Sequence, residues 1–256
     1  LILIPTMNRP QSLAVAVKTA MSHRYPDFEV IVSDNSTSDD VCAQNKALID
    51  KYGHDSPIRY IRPPSWMNMP DHWEFASRHA EGRYVIILTD RFAMRPSALS
   101  ILKAVIDKLP EDCRVISWSV NSSLSQSGVM YTEAFSGETI ITSSLQMVSD
   151  FTALRGWRTT PCWNNHLPRM LNSCYRRDLA EDIRARHGRL FMPLSPDYTA
   201  AFMLLAYSAK MAFIDKPLYL NHGTQSTGRN SLMFGSDSYL ASLGDVDWYL
   251  DVPAPF

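Results

Sequence analysis

The segment Tyr84-Val-Ile-Ile-Leu-Thr-Asp-Arg-Phe92 decides the fold class of this sequence. It contains four consecutive apolar residues, three of them β-branched, and this run predicts a short strand buried on both faces of a sheet. Asp90 stands where the strand ends, and open α/β sheets bind their ligands beyond the carboxyl ends of the strands. The carboxylate of Asp90 could therefore hold a phosphate-bound metal or a sugar hydroxyl, or it could simply begin the turn before Pro96.

Strands and helices alternate through the first half of the chain. The predicted strands are 1–4, 29–33, 58–61, 84–89 and 114–119. The predicted helices begin at Pro10 and at Asp71, and a third spans 96–109. This alternation is typical of an α/β fold, in which right-handed crossovers join parallel strands. Each strand then delivers polar residues to one shared edge of the sheet.

The chain becomes less regular after a soft boundary near residue 120. The predicted helices there are 144–154, 178–187, 196–208 and 239–250, and the predicted short strands are 129–132, 211–214 and 218–220. We therefore expect one domain whose first half, 1–120, is regular and whose second half, 121–256, is less so.

The composition excludes several classes of protein. Of the 256 residues 45% are hydrophobic, which is enough for a full core. Lys and Arg number 25 against 26 for Asp and Glu, so no overall positive field favours nucleic acid. The chain begins without a methionine and inside a strand pattern, which predicts a piece of a longer protein.

The cysteines and the apolar runs predict a cytoplasmic protein. Four widely spaced cysteines without a C-x-x-C pair are typical of reduced thiols rather than of disulfides or a zinc site. They are Cys42, Cys113, Cys162 and Cys174. The longest apolar run is too short to span a bilayer, so we expect at most peripheral contact with the inner face of a membrane.

Glycine is missing from the beginning of the chain, where the first one is Gly53. A Walker loop or a G-x-G-x-x-G fingerprint therefore cannot follow the first strand. This counts against kinases, Rossmann dehydrogenases and the glycine-rich nucleotidyltransferases.

Four motifs carry a resemblance to a known family. Ile4-Pro-Thr-Met-Asn-Arg9, followed by Glu29-Val-Ile-Val-Ser-Asp-Asn-Ser36, resembles the start of a family 2 glycosyltransferase. Ala80-Glu-Gly-Arg-Tyr-Val-Ile-Ile-Leu-Thr-Asp90 resembles the strand that leads into the DxD motif of that family, and Ser195-Pro-Asp-Tyr198 resembles the segment with its catalytic base. The resemblance implies a GT-A fold, with a Rossmann-like and mostly parallel central sheet flanked by helices. It also implies a nucleotide-sugar-binding half, 1–120, and an acceptor-binding half, 121–256.

The resemblance also implies roles for single residues. The implied nucleotide pocket comprises Pro5, Thr6, Asn8, Arg9, Asp34, Asn35, Ser36, Thr89, Asp90 and Arg91. Asp34 would accept a hydrogen bond from the base, which is uracil in many members. Asp90, with His222 as a further contact, would hold a Mg²⁺ or Mn²⁺ that bridges the diphosphate. Asp197 would be the general base that deprotonates the acceptor hydroxyl.

One departure from the family pattern puts the metal in doubt. Where the family usually has two or three acidic residues, this chain reads Thr89-Asp-Arg-Phe92 and keeps one carboxylate. A lone carboxylate can still bind a metal whose other ligands are phosphate, His222 and water. Alternatively, Arg91 faces the diphosphate and supplies the positive charge itself.

Simpler interpretations remain open for each candidate. Asp34 could be a turn residue, and Asp197 could be favoured only by the dipole at a helix start. Arg9 could be a surface charge, and His222 could be structural. Trp163 with Asn164 could form a platform for an acceptor sugar, or Trp163 could belong to the core.

The sequence thus predicts an inverting glycosyltransferase. Its donor would be a nucleotide sugar, UDP-linked in the favoured version, and its acceptor a hydroxyl of a glycan or lipid-linked glycan in surface polysaccharide synthesis. The alternatives are a non-catalytic nucleotide-sugar-binding domain, which the reduced DxD motif permits, and a nucleotidyltransferase. The donor sugar and the linkage are left open.

Overall fold

The structure is a computed structural model that describes residues 1–119, 135–153, 166–193 and 195–222. Trp163 and Asn164, the predicted strand 129–132 and the predicted helix 239–250 lie outside the described residues.

Strands and helices alternate up to the middle of the chain, as predicted, and the helix between the second and third strands, Asp39–Asp50, was not among the predicted ones. The elements in chain order are β1 (Ile2–Thr6), α1 (Pro10–Ala20), β2 (Val30–Asp34), α2 (Asp39–Asp50), β3 (Ile58–Ile61), α3 (Met69–Arg78), β4 (Tyr84–Ile87), β5 (Phe92–Met94), α4 (Ala98–Ile106), β6 (Cys113–Trp118), β7 (Thr139–Ser143), α5 (Ser144–Ala153), β8 (Ser173–Arg176), α6 (Arg177–His187), α7 (Pro196–Tyr207), β9 (Lys210–Ile214) and β10 (Tyr219–Asn221).

Eight of the strands form one central sheet in the order β3-β2-β1-β4-β8-β6-β9-β7. The strands β1, β2, β3, β4, β6 and β9 share one direction, while β7 and β8 run opposite to their neighbours. The predicted mostly parallel α/β sheet is therefore confirmed. Because β8 lies between β4 and β6, the sheet runs without interruption across the soft boundary near residue 120.

Helices pack on both faces of this sheet. Along β1, Ile2 and Ile4 join a core with α1 and α4, whereas Leu3 joins a second core with α3, α6 and α7. A strand covered on both sides needs apolar residues at every position, which explains the unbroken apolar runs in the sequence. Among the described residues no helix combines the length and the apolar character that crossing a membrane requires.

Three strands, β5, β7 and β8, were not predicted from the sequence. β5 has three residues and pairs with β10, a three-residue strand that was predicted. β7 (Thr-Ile-Ile-Thr-Ser) is an exposed edge strand, and β8 (Ser-Cys-Tyr-Arg) is buried by its neighbours rather than by apolar composition. Periodicity therefore gave no signal for β7 and β8, since their partners decide their conformation.

The boundaries of the predicted elements shift by a few residues. The predicted start of α3 at Asp71 moves to Met69, because the side chain of Asn68 caps the helix and accepts a hydrogen bond from the Asp71 amide at 2.9 Å. The predicted helix 96–109 shortens to Ala98–Ile106. Ends of helices and strands are the least certain part of any sequence-based assignment.

Candidate functional site

The carboxyl ends of β1, β2 and β4 bring the predicted polar residues to one edge of the sheet. In the register of β1 and β2, Thr6 lies directly opposite Asp34. Asp90 follows shortly after the end of β4, and its Oδ2 accepts a hydrogen bond from the Thr6 hydroxyl at 2.9 Å. Residues far apart in the chain thus meet because parallel strands end on the same side.

Arg9 completes a cluster around Asp90. Its Nη1 lies 3.2 Å from Asp90 Oδ1, so both oxygens of this buried carboxylate have protein partners. Burial raises the pKa of Asp90, while the charge of Arg9 and the hydrogen bond from Thr6 counteract that rise. Arg9 is therefore not a free surface charge, which removes the simpler interpretation of this residue.

Arg91 adds a second positive charge beside this cluster. Its pKa is lowered, first by partial burial and then by the charge of Arg9, while Asp90 and Asp197 oppose the lowering. Within the described part of the chain, its guanidinium forms no ion pair and lies over the Phe92 ring at 6.0 Å. A cation held near another cation gains from an anionic partner, so this position favours binding of a phosphate group.

The loop after β1 and the loop after β2 are joined by hydrogen bonds. Asn8 adopts the left-handed conformation, with φ of 57°, and its amide donates to Ser36 Oγ at 2.8 Å. The Asn8 side chain also donates to Thr37 Oγ1 and accepts from the Thr37 amide. The Asn35 amide donates to the Thr6 carbonyl at 3.0 Å. The two loops thus form one surface of backbone and small polar groups.

Asn35 also connects this surface to a third loop. Its side chain donates to the Met67 carbonyl at 2.7 Å and accepts from the Met67 amide at 3.0 Å. Pro5 lies within β1 and Thr89 follows β4, and both are buried. The hydroxyl of Thr89 has no hydrogen-bond partner among the described residues, so it can still accept or donate one.

Asp34 lies beneath this surface rather than on it. Its side chain is 0% exposed, and its oxygens accept from the Ser36 amide, Asn45 Nδ2 and the Tyr60 hydroxyl at 2.8–2.9 Å. The predicted hydrogen bond from a base therefore finds no exposed carboxylate at Asp34 in this structure. A buried carboxylate with three donors instead fixes the loop that follows β2.

Asp197 lies in the first turn of α7, and its charge acts on the pKa of Arg91. The helix follows Ser195, which takes the left-handed conformation with φ of 47°. Burial raises the pKa of Asp197, and the charges of Arg169 and Arg91 lower it again. A partly desolvated carboxylate with a raised pKa is the environment that a general base requires.

Arg169 is a residue of the site that the sequence analysis missed. Its guanidinium lies over the Tyr198 ring at 5.6 Å, and its Nη1 donates to the Tyr198 hydroxyl at 3.4 Å. It is the residue whose charge most lowers the pKa of Asp197. Nothing in the local sequence distinguishes this arginine from others, because only the fold brings it to α7.

His222 approaches the cluster from the end of β10. Its amide donates to the Arg91 carbonyl at 2.9 Å, and its Nε2 is buried without a hydrogen-bond partner among the described residues. Burial lowers the pKa of His222, and the charge of Asp90 acts in the opposite direction. In the described ranges no group of three or more His, Cys, Asp or Glu side chains that could hold a metal occurs.

Comparison with known families decides the relationship. The model of the glycosyl transferase family 2 matches residues 1–179, which include β1, β2, β4 and the cluster around Asp90. The chain belongs to glycosyl transferase family 2. No curated protein matches it by sequence.

Solved structures of glycosyltransferases share the fold of this family 2 chain. S. aureus TarS 1–349 in complex with UDP-GlcNAc superposes with a TM-score of 0.68 at 14% identity, covering 94% of this chain and 63% of the TarS 1–349 chain. A second TarS crystal structure gives 0.63 at 16% identity, covering 87% of this chain and 36% of that one. The mannosyltransferase PcManGT from Pyrobaculum calidifontis, in complex with GDP-Man and Mn²⁺, gives 0.58 at 14% identity, covering 94% and 61%. The predicted GT-A fold is thereby confirmed.

The family 2 chain is shorter than these neighbours. It spans 36% of one TarS chain and 63% of the other, and 61% of PcManGT. At such low identity the similarity shows a shared fold and does not show that this chain uses the substrates of its neighbours.

Proposed function

We propose that this family 2 chain is an inverting transferase that moves a sugar from a nucleotide-sugar donor to a hydroxyl of a glycan or lipid-linked glycan. The observation that carries the proposal is the cluster of Thr6, Arg9 and Asp90, whose neighbour Arg91 also responds to the charge of Asp197. The charges of this cluster and of a candidate base therefore both act on the same cation, Arg91. Transfer from a diphosphate leaving group needs this combination.

The donor would bind along the joined loops after β1 and β2. Of these loops Asn8 is exposed, while the buried Asn35, Ser36 and Asp34 fix their shape. TarS and PcManGT bind UDP-GlcNAc and GDP-Man, which supports a nucleotide sugar as the donor class. We infer a UDP-linked donor from the family motifs at Ile4–Arg9 and Glu29–Ser36.

The reaction would be a single displacement. Asp197 takes the proton of the acceptor hydroxyl as its oxygen forms a bond to the anomeric carbon. The bond from that carbon to the diphosphate oxygen breaks on the opposite face, and its electron pair leaves with the diphosphate. In this proposal the charges of Arg91 and Arg9 would stabilise the leaving diphosphate.

The residues present fit a divalent metal that the substrate helps to hold. Mg²⁺ and Mn²⁺ are commonly bound by one or two side chains together with phosphate oxygens and water. Asp90 and His222 Nε2, which has no hydrogen-bond partner among the described residues, would supply the protein ligands. Asp90 would then give up its ion pair with Arg9 in favour of the metal. A bound metal would supply positive charge to the leaving diphosphate. The arginine version of the site, in which Arg91 supplies that charge, needs no such exchange.

The proposal is tested by incubating the protein with a panel of nucleotide sugars that includes UDP-GlcNAc and GDP-Man, with and without Mn²⁺. We expect release of the nucleoside diphosphate and a rise in melting temperature with the same diphosphate, because a ligand of the native state stabilises it. Conversion of the nucleotide sugar and added pyrophosphate into a nucleoside triphosphate and a sugar phosphate would instead indicate a nucleotidyltransferase. Binding without release, with every donor and with glycan acceptors added, would contradict transfer and indicate a non-catalytic binding domain.

Arg169 should set the pH range of activity. Replacing it with methionine removes the charge that lowers the pKa of Asp197 most, so we expect this pKa to rise further. A base must be ionised, and so we expect the acidic limb of the kcat/KM profile to move to higher pH. Activity should fall several-fold at acidic pH and change little at mildly alkaline pH.

The matched control is Arg177→Met, which removes a partly exposed arginine that pairs with Glu181, 3.3 Å away on α6, and donates to the Glu81 carbonyl at 2.7 Å. Its pH profile should equal that of the wild-type protein. An unchanged acidic limb in Arg169→Met would contradict the assignment.

A further inference from the structure

We propose that Glu74 on α3 is a positioning residue that holds the segment leading to Asp197. This inference rests on the proposed function, since it takes Asp197 as the base. Glu74 does not touch the cluster around Asp90, and in the sequence it serves only the pattern of a helix start, three residues after Asp71. Its contacts with the segment around the end of α6 carry the inference.

Both oxygens of Glu74 are engaged by this segment, and Oε1 also pairs with Arg78 of α3 itself. Oε1 lies 2.7 Å from Arg184 Nε and 2.9 Å from Arg78 Nε. Oε2 accepts from the amides of Leu190 and Phe191 at 2.9 and 3.2 Å. Glu74 is 7% exposed, so its carboxylate is buried and is held by two guanidinium groups and two backbone amides.

Neighbouring residues of α3 bind the same segment. Asp71 Oδ1 lies 2.7 Å from Arg189 Nη2, and Arg78 Nη2 donates to the Gly188 carbonyl at 2.8 Å. The Trp73 ring packs edge-on against Phe191 with 5.7 Å between centroids. Helix α3 therefore fixes the chain from the end of α6 to Phe191, shortly before Asp197.

The other end of α3 reaches the donor side of the site. Asn68 caps the helix, and the preceding Met67 is the residue that the side chain of Asn35 binds through two hydrogen bonds. Helix α3 thus connects the loop after β2 with the segment before α7. The helix therefore joins the donor loops to the segment that leads to the candidate base. On that side Glu74 makes three polar contacts, with Arg184 and with the amides of Leu190 and Phe191.

The chemistry of this contact requires a carboxylate. Backbone amides and guanidinium groups are all donors, and only an acceptor at both oxygens satisfies them together. A glutamine of the same shape offers one acceptor oxygen and one donor amide, so either the amides or the arginines lose their partner. Buried donors without partners shift until they find water or another acceptor.

The consequence for catalysis is a change in position rather than in charge at the reacting atoms. A general base displaced by about 1 Å can cost up to about a hundredfold in rate even when the substrate still binds. We therefore expect Glu74→Gln to lower kcat about tenfold or more while the affinity for UDP changes less than about twofold. A purely structural role would lower stability without separating kcat from nucleotide affinity.

The experiment compares wild-type protein, Glu74→Gln and Asp197→Asn. UDP-GlcNAc or GDP-Man is the donor, whichever the wild-type protein cleaves, and the affinity for UDP or GDP is measured by calorimetry. Amide hydrogen exchange of peptides that cover 188–193 should be faster in Glu74→Gln, with peptides from β1 and β2 unchanged. The matched control is Glu181→Gln, which breaks an exposed ion pair on α6 and should leave all three readouts unchanged.

The outcomes separate the inference from the proposed function. Wild-type kcat and exchange in Glu74→Gln, with an inactive Asp197→Asn, would overturn the inference alone. Full activity of Asp197→Asn would overturn the proposed function itself. If Glu74→Gln melts below the assay temperature, Asp71→Asn carries the test, since it breaks only the partly exposed ion pair to Arg189. It should then show a smaller loss of kcat with the same unchanged nucleotide affinity, and wild-type kcat would overturn the inference.

Discussion

Asp197→Asn should lower kcat by about 10²–10⁴-fold, the range that a general base contributes. The asparagine keeps the shape of the side chain but cannot take a proton from the acceptor hydroxyl. The carboxylate faces the charges of Arg169 and Arg91, and removing it leaves the contacts of α7 with the core intact. We therefore expect unchanged nucleotide affinity and a melting temperature close to that of the wild-type protein. Steady-state release of nucleoside diphosphate measures the effect.

Asp178→Asn is the control for this variant. Asp178 also lies in the first turn of a helix, α6, but it is half exposed and pairs with Arg176 away from the cluster. Its loss should leave kcat unchanged. Equal kcat values for the two variants would show that Asp197 is only a helix-start residue, favoured by the helix dipole.

Arg91→Ala should lower kcat by about 10²–10³-fold, the cost of losing one preorganised group that stabilises developing charge. Arg91 forms no ion pair with the described carboxylates and lies near Arg9, so its charge is available to a diphosphate. The effect should appear in kcat with any donor that the protein cleaves, because the diphosphate is common to all of them. Initial rates at saturating donor measure it.

Arg83→Ala provides a closely matched control. Arg83 lies over the Tyr84 ring at 5.7 Å, and Arg91 lies over Phe92 at 6.0 Å, so both variants lose an arginine–aromatic contact near the two ends of β4. Arg83 is at the amino end, away from the site, and its loss should not change kcat. Near-wild-type activity of Arg91→Ala would contradict the prediction.

A strong chelator separates the two versions of the charge-stabilising group. Activity that is undiminished by the chelator, together with an inactive Arg91→Ala, would assign the charge to the arginine. Activity that is lost in the chelator and restored by Mn²⁺ would assign it to a metal on Asp90 and His222. In that second case Asp90→Asn and His222→Ala should both raise the metal concentration needed for activity.

Particular residues show how far the sequence could lead. The apolar runs at β1, β2 and β4 were sufficient to predict parallel strands, since these strands are buried on both faces and need no other signal. The polar residues that end these runs then had to share one edge, as Thr6 and Asp90 do. The absence of glycine before Gly53 further narrowed the possible classes of nucleotide-binding protein, because it excluded the common glycine-rich phosphate-binding loops after the first strand.

Burial and long-range pairing were beyond the sequence. Asp34 looked like a ligand-binding carboxylate, but Asn45 and Tyr60 enclose it, and no local pattern indicates which side of a loop faces solvent. The antiparallel strand β8 lies in the centre of the sheet because it pairs with both β4 and β6, which are distant from it in the chain.

The sequence by itself determined the alternation of strands and helices, the direction of the first four strands and the polar residues at their ends. These features follow from local hydrophobic patterns, which act over a few neighbouring residues. The tertiary structure alone decided that Arg169 faces Asp197 and that Glu74 holds the segment before α7. Such contacts join residues distant in the chain, and their free energy depends on desolvation and exact donor geometry that exist only after the sheet and its helices have assembled.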